Sequence, residues 1–149
     1  MERMNAAQRI AKLYYSLRIE PYRKENHLIL ARRWWRNFNE AELAEDLLSE
    51  IGLVIYDGEQ PVAMSWIFLS NSPLAQIGWT VTNPECGPKT RMSAVALLID
   101  ELTGVAKREG YKGVMTFSNS SGLTRIFQSS NYVKLNPHDF LIREIESDS

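Results

Sequence analysis

The chain of 149 residues holds a single cysteine, Cys86, and two histidines, His27 and His138. One thiol excludes an internal disulfide and a multi-cysteine zinc site. The histidines lie far apart, without the spacing of metal ligands, so no metal is expected. Cys86 has no flanking histidine, which argues against a thiol nucleophile. Neither sign of charge dominates, since 17 Lys and Arg meet 18 Asp and Glu for a net charge of −1. That balance offers no global field to draw the chain onto nucleic acid or an anionic membrane. Long apolar runs are also missing. The longest, residues 62–69, falls far short of a bilayer span, and the stretch before Glu20 lacks the uninterrupted apolar core of a signal peptide. A soluble, cytoplasmic protein is expected.

What is present is ordinary for a globular protein, 44% hydrophobic and 23% charged residues. The length suits one domain over residues 1–149, with residues 5–13 read as a short helix or arm. Strand patterns fall at residues 14–20, 53–56, 62–69, 77–82, 113–117, 132–135 and 140–145. Helical patterns fall at 22–37, 90–109 and 122–129. Asn39-Glu40-Ala41-Glu42 has the form of a capping box, which predicts a further helix to about residue 50. Asp57-Gly58 is a hairpin turn signal. These elements imply a mixed α/β sheet with helices on both faces, whose ligands belong at the carboxyl ends of the strands beside the crossover helix.

The chain is organised around residues 77–109. An apolar strand ends at the loop Asn83-Pro84-Glu85-Cys86-Gly87-Pro88, and a helix follows with Val95, Ile99, Leu102 and Ala106 on one face. The first amides of such a helix lack intrahelical partners, and Lys89 and Arg91 stand beside them, so a phosphate would meet orphan amides and positive charge. Spacing alone fits an ordinary strand-to-helix connection with solvated charges as well. Elsewhere, Ala31-Arg32-Arg33-Trp34-Trp35-Arg36 could stack on bases or serve an interface. The plainer reading puts both tryptophans in the core and pairs the arginines with Glu40, Glu42 and Glu45. The neutral overall charge favours it, and nucleic acid is not an expected partner.

The element order, with Ser16-Leu17-Arg18-Ile19-Glu20-Pro21-Tyr22 entering the first helix, resembles the GNAT superfamily of acyl-CoA N-acyltransferases. Arg91-Met92-Ser93-Ala94-Val95-Ala96 looks like that family's phosphate loop. Asn119 through Asn131-Tyr132 resembles its Asn-rich turn and fourth helix. Within the superfamily the chain looks most like small GNAT-like proteins of tailed phages, which would place it in a bacterial host's cytoplasm.

The resemblance implies a single GNAT-like domain, a mixed, mostly antiparallel sheet of about six or seven strands flanked by about four helices on both faces. It implies acetyl-CoA, or another acyl-CoA, as cofactor and an amine as acceptor. Thr80, Val81, Arg91, Met92, Ser93, Ala94, Val95, Ala96, Asn119 and Phe127 would line the cofactor site, with an amide near Val81 as oxyanion donor. Glu85 is the nominee for general base, and Trp34 or Trp35 would border the acceptor. Such domains often pair through their sheets, so a homodimer is the default expectation. Two positions depart from the pattern. Ala94 replaces the first motif glycine, and Phe127 stands where the family's tyrosine would protonate the departing thiolate. Slow or absent turnover follows, and with it the alternative of a non-catalytic virion component or host-protein binder.

Overall fold

Near-continuous apolar runs, such as residues 62–69, fix a sheet buried on both faces. In the computed structural model, residues 16–118, 120–135, 141–143 and 145 are described. The order is β1 (Leu17–Pro21), α1 (Lys24–Asn37), a 3-10 turn (Glu45–Leu47), β2 (Gly52–Asp57), β3 (Gln60–Phe68), β4 (Leu74–Thr82), α2 (Pro88–Arg108), β5 (Gly113–Thr116) and α3 (Ser121–Ser129). The five strands lie side by side in sequence order. β1 to β4 are antiparallel, and β5 joins β4 in parallel through the α2 crossover.

Ile55, Ala63, Ile67 and Ile77 face α2, whose Ala94, Val95, Leu98, Ile99, Leu102 and Ala106 cover them. Val54, Met64, Trp66 and Val81 face the other way, under Ala31, Trp34 and Trp35 of α1. Each large apolar side chain so buried contributes about 1.5–3 kcal/mol. The architecture is therefore the expected mixed α/β sheet with helices on both faces, at five strands and three α-helices among the described residues.

All three helices stop in the same way. Asn39, Gly110 and Asn131 take φ values of 53°, 86° and 70° just beyond the last turn. The next residue then donates its N–H back into the helix, Glu40 to Trp35 O, Tyr111 to Ala106 O and Tyr132 to Phe127 O. These are Schellman ends, which satisfy carbonyls that would otherwise lack partners. The expected helix over residues 39–50 is corrected by this geometry. Asn39 closes α1 instead of capping a new helix, and the chain beyond it makes only the one 3-10 turn. Its acidic residues reach back to α1, Glu42 to Arg36 at 3.5 Å and Glu45 to Lys24.

The expected strand at 132–135 is also corrected. Tyr132 is held by its amide to Phe127 O and by its hydroxyl to Thr103, while Val133 and Leu135 stand exposed outside the sheet. Residues 141–143 and 145 are likewise not strand, and 140 and 144 lie outside the described residues, as do 1–15, with the expected N-terminal helix, and His138. No described helix is long and apolar enough to cross a membrane.

Candidate functional site at the opening between two parallel strands

The site begins with one extra residue. Met64 pairs with Val81 and Trp66 with Gly78, so β4 spends three steps where β3 spends two. Within that step Trp79 takes φ 63°, the left-handed region that bulky residues rarely enter. A bulge of this kind bends its strand and increases the local twist. The consequence shows at β5. It follows β4 only from Leu74↔Gly113 to Ile77↔Thr116. From Gly78 onward β4 diverges, and the edge of residues 78–82 opens beside the first turn of α2.

The direction of the amides on that edge follows from the ladder. Asn83 N–H donates to Val62 O at 2.7 Å, and Val81 pairs with Met64. Bonding directions alternate along a strand, so Val81 N–H points at β3 and Thr82 N–H at the open edge. Near Val81, the amide that faces the opening is therefore that of Thr82. Val81 itself is buried against α1, and Thr80 Oγ1 is hydrogen-bonded to Ser65 Oγ at 2.7 Å.

The loop from β4 to α2 hangs on Asn83, which is buried. Its Nδ2 donates to Pro61 O and its Oδ1 accepts from Glu85 N–H, both at 2.9 Å. Gly87 then serves as N-cap without a side-chain bond, and Pro88 occupies the first turn, where its missing N–H costs nothing. Arg91 N–H is already bonded to Gly87 O at 3.0 Å. The helix thus starts at Pro88, three residues before the motif placed at 91–96 and two before the expected start at residue 90. The amides of Met92, Ser93, Ala94, Val95 and Ala96 lie within the helix, and those without an intrahelical acceptor are Lys89 and Thr90. Ala94 and Val95 are buried toward the sheet, so the Ala94 methyl group does not obstruct an approach to the helix N-terminus. Met92 is exposed, and Ser93 and Ala96 are half-buried.

Arg91 keeps a role through its side chain. Its Nε is buried and has no hydrogen-bond partner among the described residues. Its guanidinium lies 6.0 Å from the Phe38 ring at the end of α1. A buried donor without a partner suits an anion. With the diverging edge and the helix N-terminus, it fits an extended ligand carrying phosphates at one end.

The other sequence candidates divide. Glu85 is exposed on the loop between β4 and α2. Trp34 and Trp35 are 2% and 0% exposed, so they are core residues and not acceptor contacts. Trp35 Nε1 is spent on the Trp79 carbonyl at 3.1 Å. Phe127 is buried too, edge to face with Tyr132 at 5.0 Å. The Tyr132 hydroxyl is 2.7 Å from Thr103 Oγ1 on α2. Asn119 lies outside the described residues, and Ser120 performs the capping expected of it, accepting from Leu123 N–H. Burial pushes the Cys86 thiol above its ordinary pKa, with Asp57 adding to the rise, which leaves it protonated and inert.

Among the described residues no group of three or more His, Cys, Asp or Glu is placed to hold a metal ion. A shallow groove of about 320 Å³ between residues 70–73 and 109–112 lies at the opposite end of α2 and takes no part. Sequence reasoning missed Asn83 and the bulge. The first has a signal, since Asn before Pro in a punctuated loop favours a turn built on its own side chain. The second has none, because nothing in Gly78-Trp79-Thr80 announces a left-handed tryptophan.

No protein-family model and no curated protein sequence matches the chain. Solved structures do match its fold. A predicted acetyltransferase from Clostridium acetobutylicum, crystallised with acetyl-CoA, is 12% identical, with 85% of this chain and 96% of that one covered at a TM-score of 0.61. A GCN5-related N-acetyltransferase from Ralstonia eutropha is 13% identical, covering 85% and 98% at 0.59. An aminoglycoside acetyltransferase from an uncultured soil metagenomic sample, in complex with trehalose, is 17% identical, covering 89% and 97% at 0.55. At these identities the likeness is one of fold, and the fold is that of the GNAT acetyltransferases.

Proposed function

We propose that this chain is an acyl-CoA-dependent N-acyltransferase that moves an acetyl group from acetyl-CoA to an amine. The observation that carries the reading is the divergence of β4 from β5 at Ile77/Thr116, beside the first turn of α2. The acetyl-CoA bound to the Clostridium neighbour supports the same ligand class here.

Acetyl-CoA supplies an acyl group activated as a thioester. The amides of Lys89 and Thr90, with the Lys89 and Arg91 side chains, would hold its phosphates at the positive end of the α2 dipole. The open edge of residues 78–82 offers backbone groups to the amide-bearing arm. Thr82 N–H is directed to where charge develops on the carbonyl oxygen. The acceptor nitrogen attacks the carbonyl carbon, the C–S bond breaks, and an amide and free thiol form. Glu85, directly or through water, takes the proton the nitrogen must lose. The thiolate needs a proton in turn, and the described residues bring no tyrosine hydroxyl to it. Phe127 has none, and Tyr132 is tied to Thr103. The proton that Glu85 takes is then the one returned to the thiolate, directly or through water, and slow turnover is expected.

That same deficit favours a second reading, a GNAT-like domain that has kept the fold and lost the chemistry to serve as a protein-binding component. One experiment separates the two. Acetyl-CoA and desulfo-CoA are titrated calorimetrically into the wild-type protein, Arg91→Glu and Lys89→Glu, and thiol release is followed with a panel of amines. Saturable binding weakened in both variants supports the acyl-CoA site, and thiol release dependent on an amine establishes the transferase. Binding without release selects the second reading. An absence of heat at millimolar acetyl-CoA sinks the first.

A further inference from the structure

Trp79 at φ 63° is strained unless its surroundings hold it there. The restraint comes from α1. The Trp35 indole N–H donates to the Trp79 carbonyl at 3.1 Å, and the two rings meet edge to face at 6.0 Å and 72°. Trp35 has no freedom to move, being fully buried and packed against Trp66 with 5.6 Å between centroids. A rigid donor therefore grips one peptide group of the bulge.

That peptide group is trans, as no described peptide bond is cis. In a trans peptide the C=O and the following N–H point in opposite directions. With the Trp79 carbonyl turned to α1, the Thr80 N–H is turned to the opposite face, the one α2 covers. Fixing the carbonyl thus also fixes the local twist of residues 80–82, where Val81 and Thr82 stay paired with β3 but lie beyond the last pair with β5 at Ile77.

We propose that Trp35 is a positioning residue. Through its bond to the Trp79 carbonyl it holds the bulge that keeps the edge of residues 78–82 open for the acyl donor. It touches neither donor nor acceptor, and it acts through the backbone of β4. This rests on the acyl-CoA reading of the opening.

The test is Trp35→Phe, which keeps an aromatic ring in the stack and removes the N–H. Amide hydrogen exchange is measured on the free protein, and acetyl-CoA affinity by calorimetry. In the variant, exchange at Val81 and Asn83, whose amides point to β3, accelerates about tenfold or more, while the paired amides of β1 and β2 keep wild-type protection. The dissociation constant for acetyl-CoA rises about fivefold to tenfold, the worth of one hydrogen bond. Adding Trp79→Gly, which makes φ 63° free of strain, brings affinity back to within about twofold of wild type even though the ring is lost. Unchanged exchange and affinity in Trp35→Phe overturn the proposal. So does acceleration spread evenly over the sheet, which marks a general loss of packing. If the wild-type protein binds no acetyl-CoA, the function reading falls and the donor half of this proposal with it. The exchange pattern alone then decides whether Trp35 holds the bulge.

Discussion

Replacing Asn83 by alanine tests how the loop ahead of α2 is held. The side chain is 5% exposed, and both ends of its amide are used, Nδ2 on Pro61 O and Oδ1 on Glu85 N–H. That orientation is forced, because a carbonyl needs a donor and an amide needs an acceptor. Asn83→Ala leaves half-buried Pro61 O unpaired, while Glu85 N–H, in an exposed loop, recovers water. One bond is lost in full and one in part, together about 2–3 kcal/mol. For a domain of this size the thermal midpoint falls by about 5–10 °C. Urea denaturation gives the same loss with an unchanged m-value if only the native state is affected. Asn83→Asp is the sharper variant. It keeps the acceptor for Glu85 N–H but sets a carboxylate oxygen against Pro61 O, so at neutral pH it loses at least as much as alanine. An Asn83→Asp protein within about 0.5 kcal/mol of wild type would refute the reasoning, since Nδ2 could not then be bonded as described.

Other outcomes follow from the same geometry. A Cβ on Gly52 would lie 2.5 Å from Trp66 Cδ1 and 3.0 Å from Ser65 O, so Gly52→Ala destabilises by about 1–3 kcal/mol in urea denaturation, and wild-type stability would show the sheet yielding there. His27 is buried, with Nδ1 accepting from Arg23 N–H and Nε2 2.8 Å from Tyr56 OH; burial lowers its pKa below the ordinary 6.5. Its contribution to stability is complete above that value and is lost as pH falls through the lowered pKa, so melting temperature declines below about pH 6.5 and the decline is shallower in His27→Gln. Cys86, raised by burial, reacts with iodoacetamide in the native protein at least about tenfold more slowly than in urea, as mass spectrometry would show, and equal rates would contradict its burial.

How much of this was legible in the sequence depends on whether the signal was local. The short apolar run of residues 62–69 after the Asp57-Gly58 turn, and the face of Val95, Ile99, Leu102 and Ala106, located β3 and α2 because burial is written along one element. Asn39 was misread because Asn serves equally at an N-cap and in a left-handed C-terminal turn. The left-handed φ of Asn39 and the bond from Glu40 N–H to Trp35 O decide between them. The start of α2 was read two residues late for a similar reason. Pro88 at the first helical position is the better start signal. Trp34 and Trp35 followed the plainer reading and went into the core. The carboxyl ends of the strands beside α2 were legible as the place for a ligand, but the bulge that opens β4 from β5 was not, since it is a register shift that sequence periodicity does not encode.

The sheet joins two kinds of connection. β2 to β4 follow one another directly, whereas the two edge strands each pair only after a helix has intervened, α1 between β1 and β2 and α2 between β4 and β5. Non-local pairing pays its loop-closure entropy before any contact repays it, so both edges are kinetically the slower steps. The four-residue β5, half-buried along its length, is the shorter of the two. The opening lies on that seam. A bound ligand that spans β4 and β5 therefore acts as the missing length of their pairing. Ligand occupancy should then slow exchange in β5 more than in any other strand.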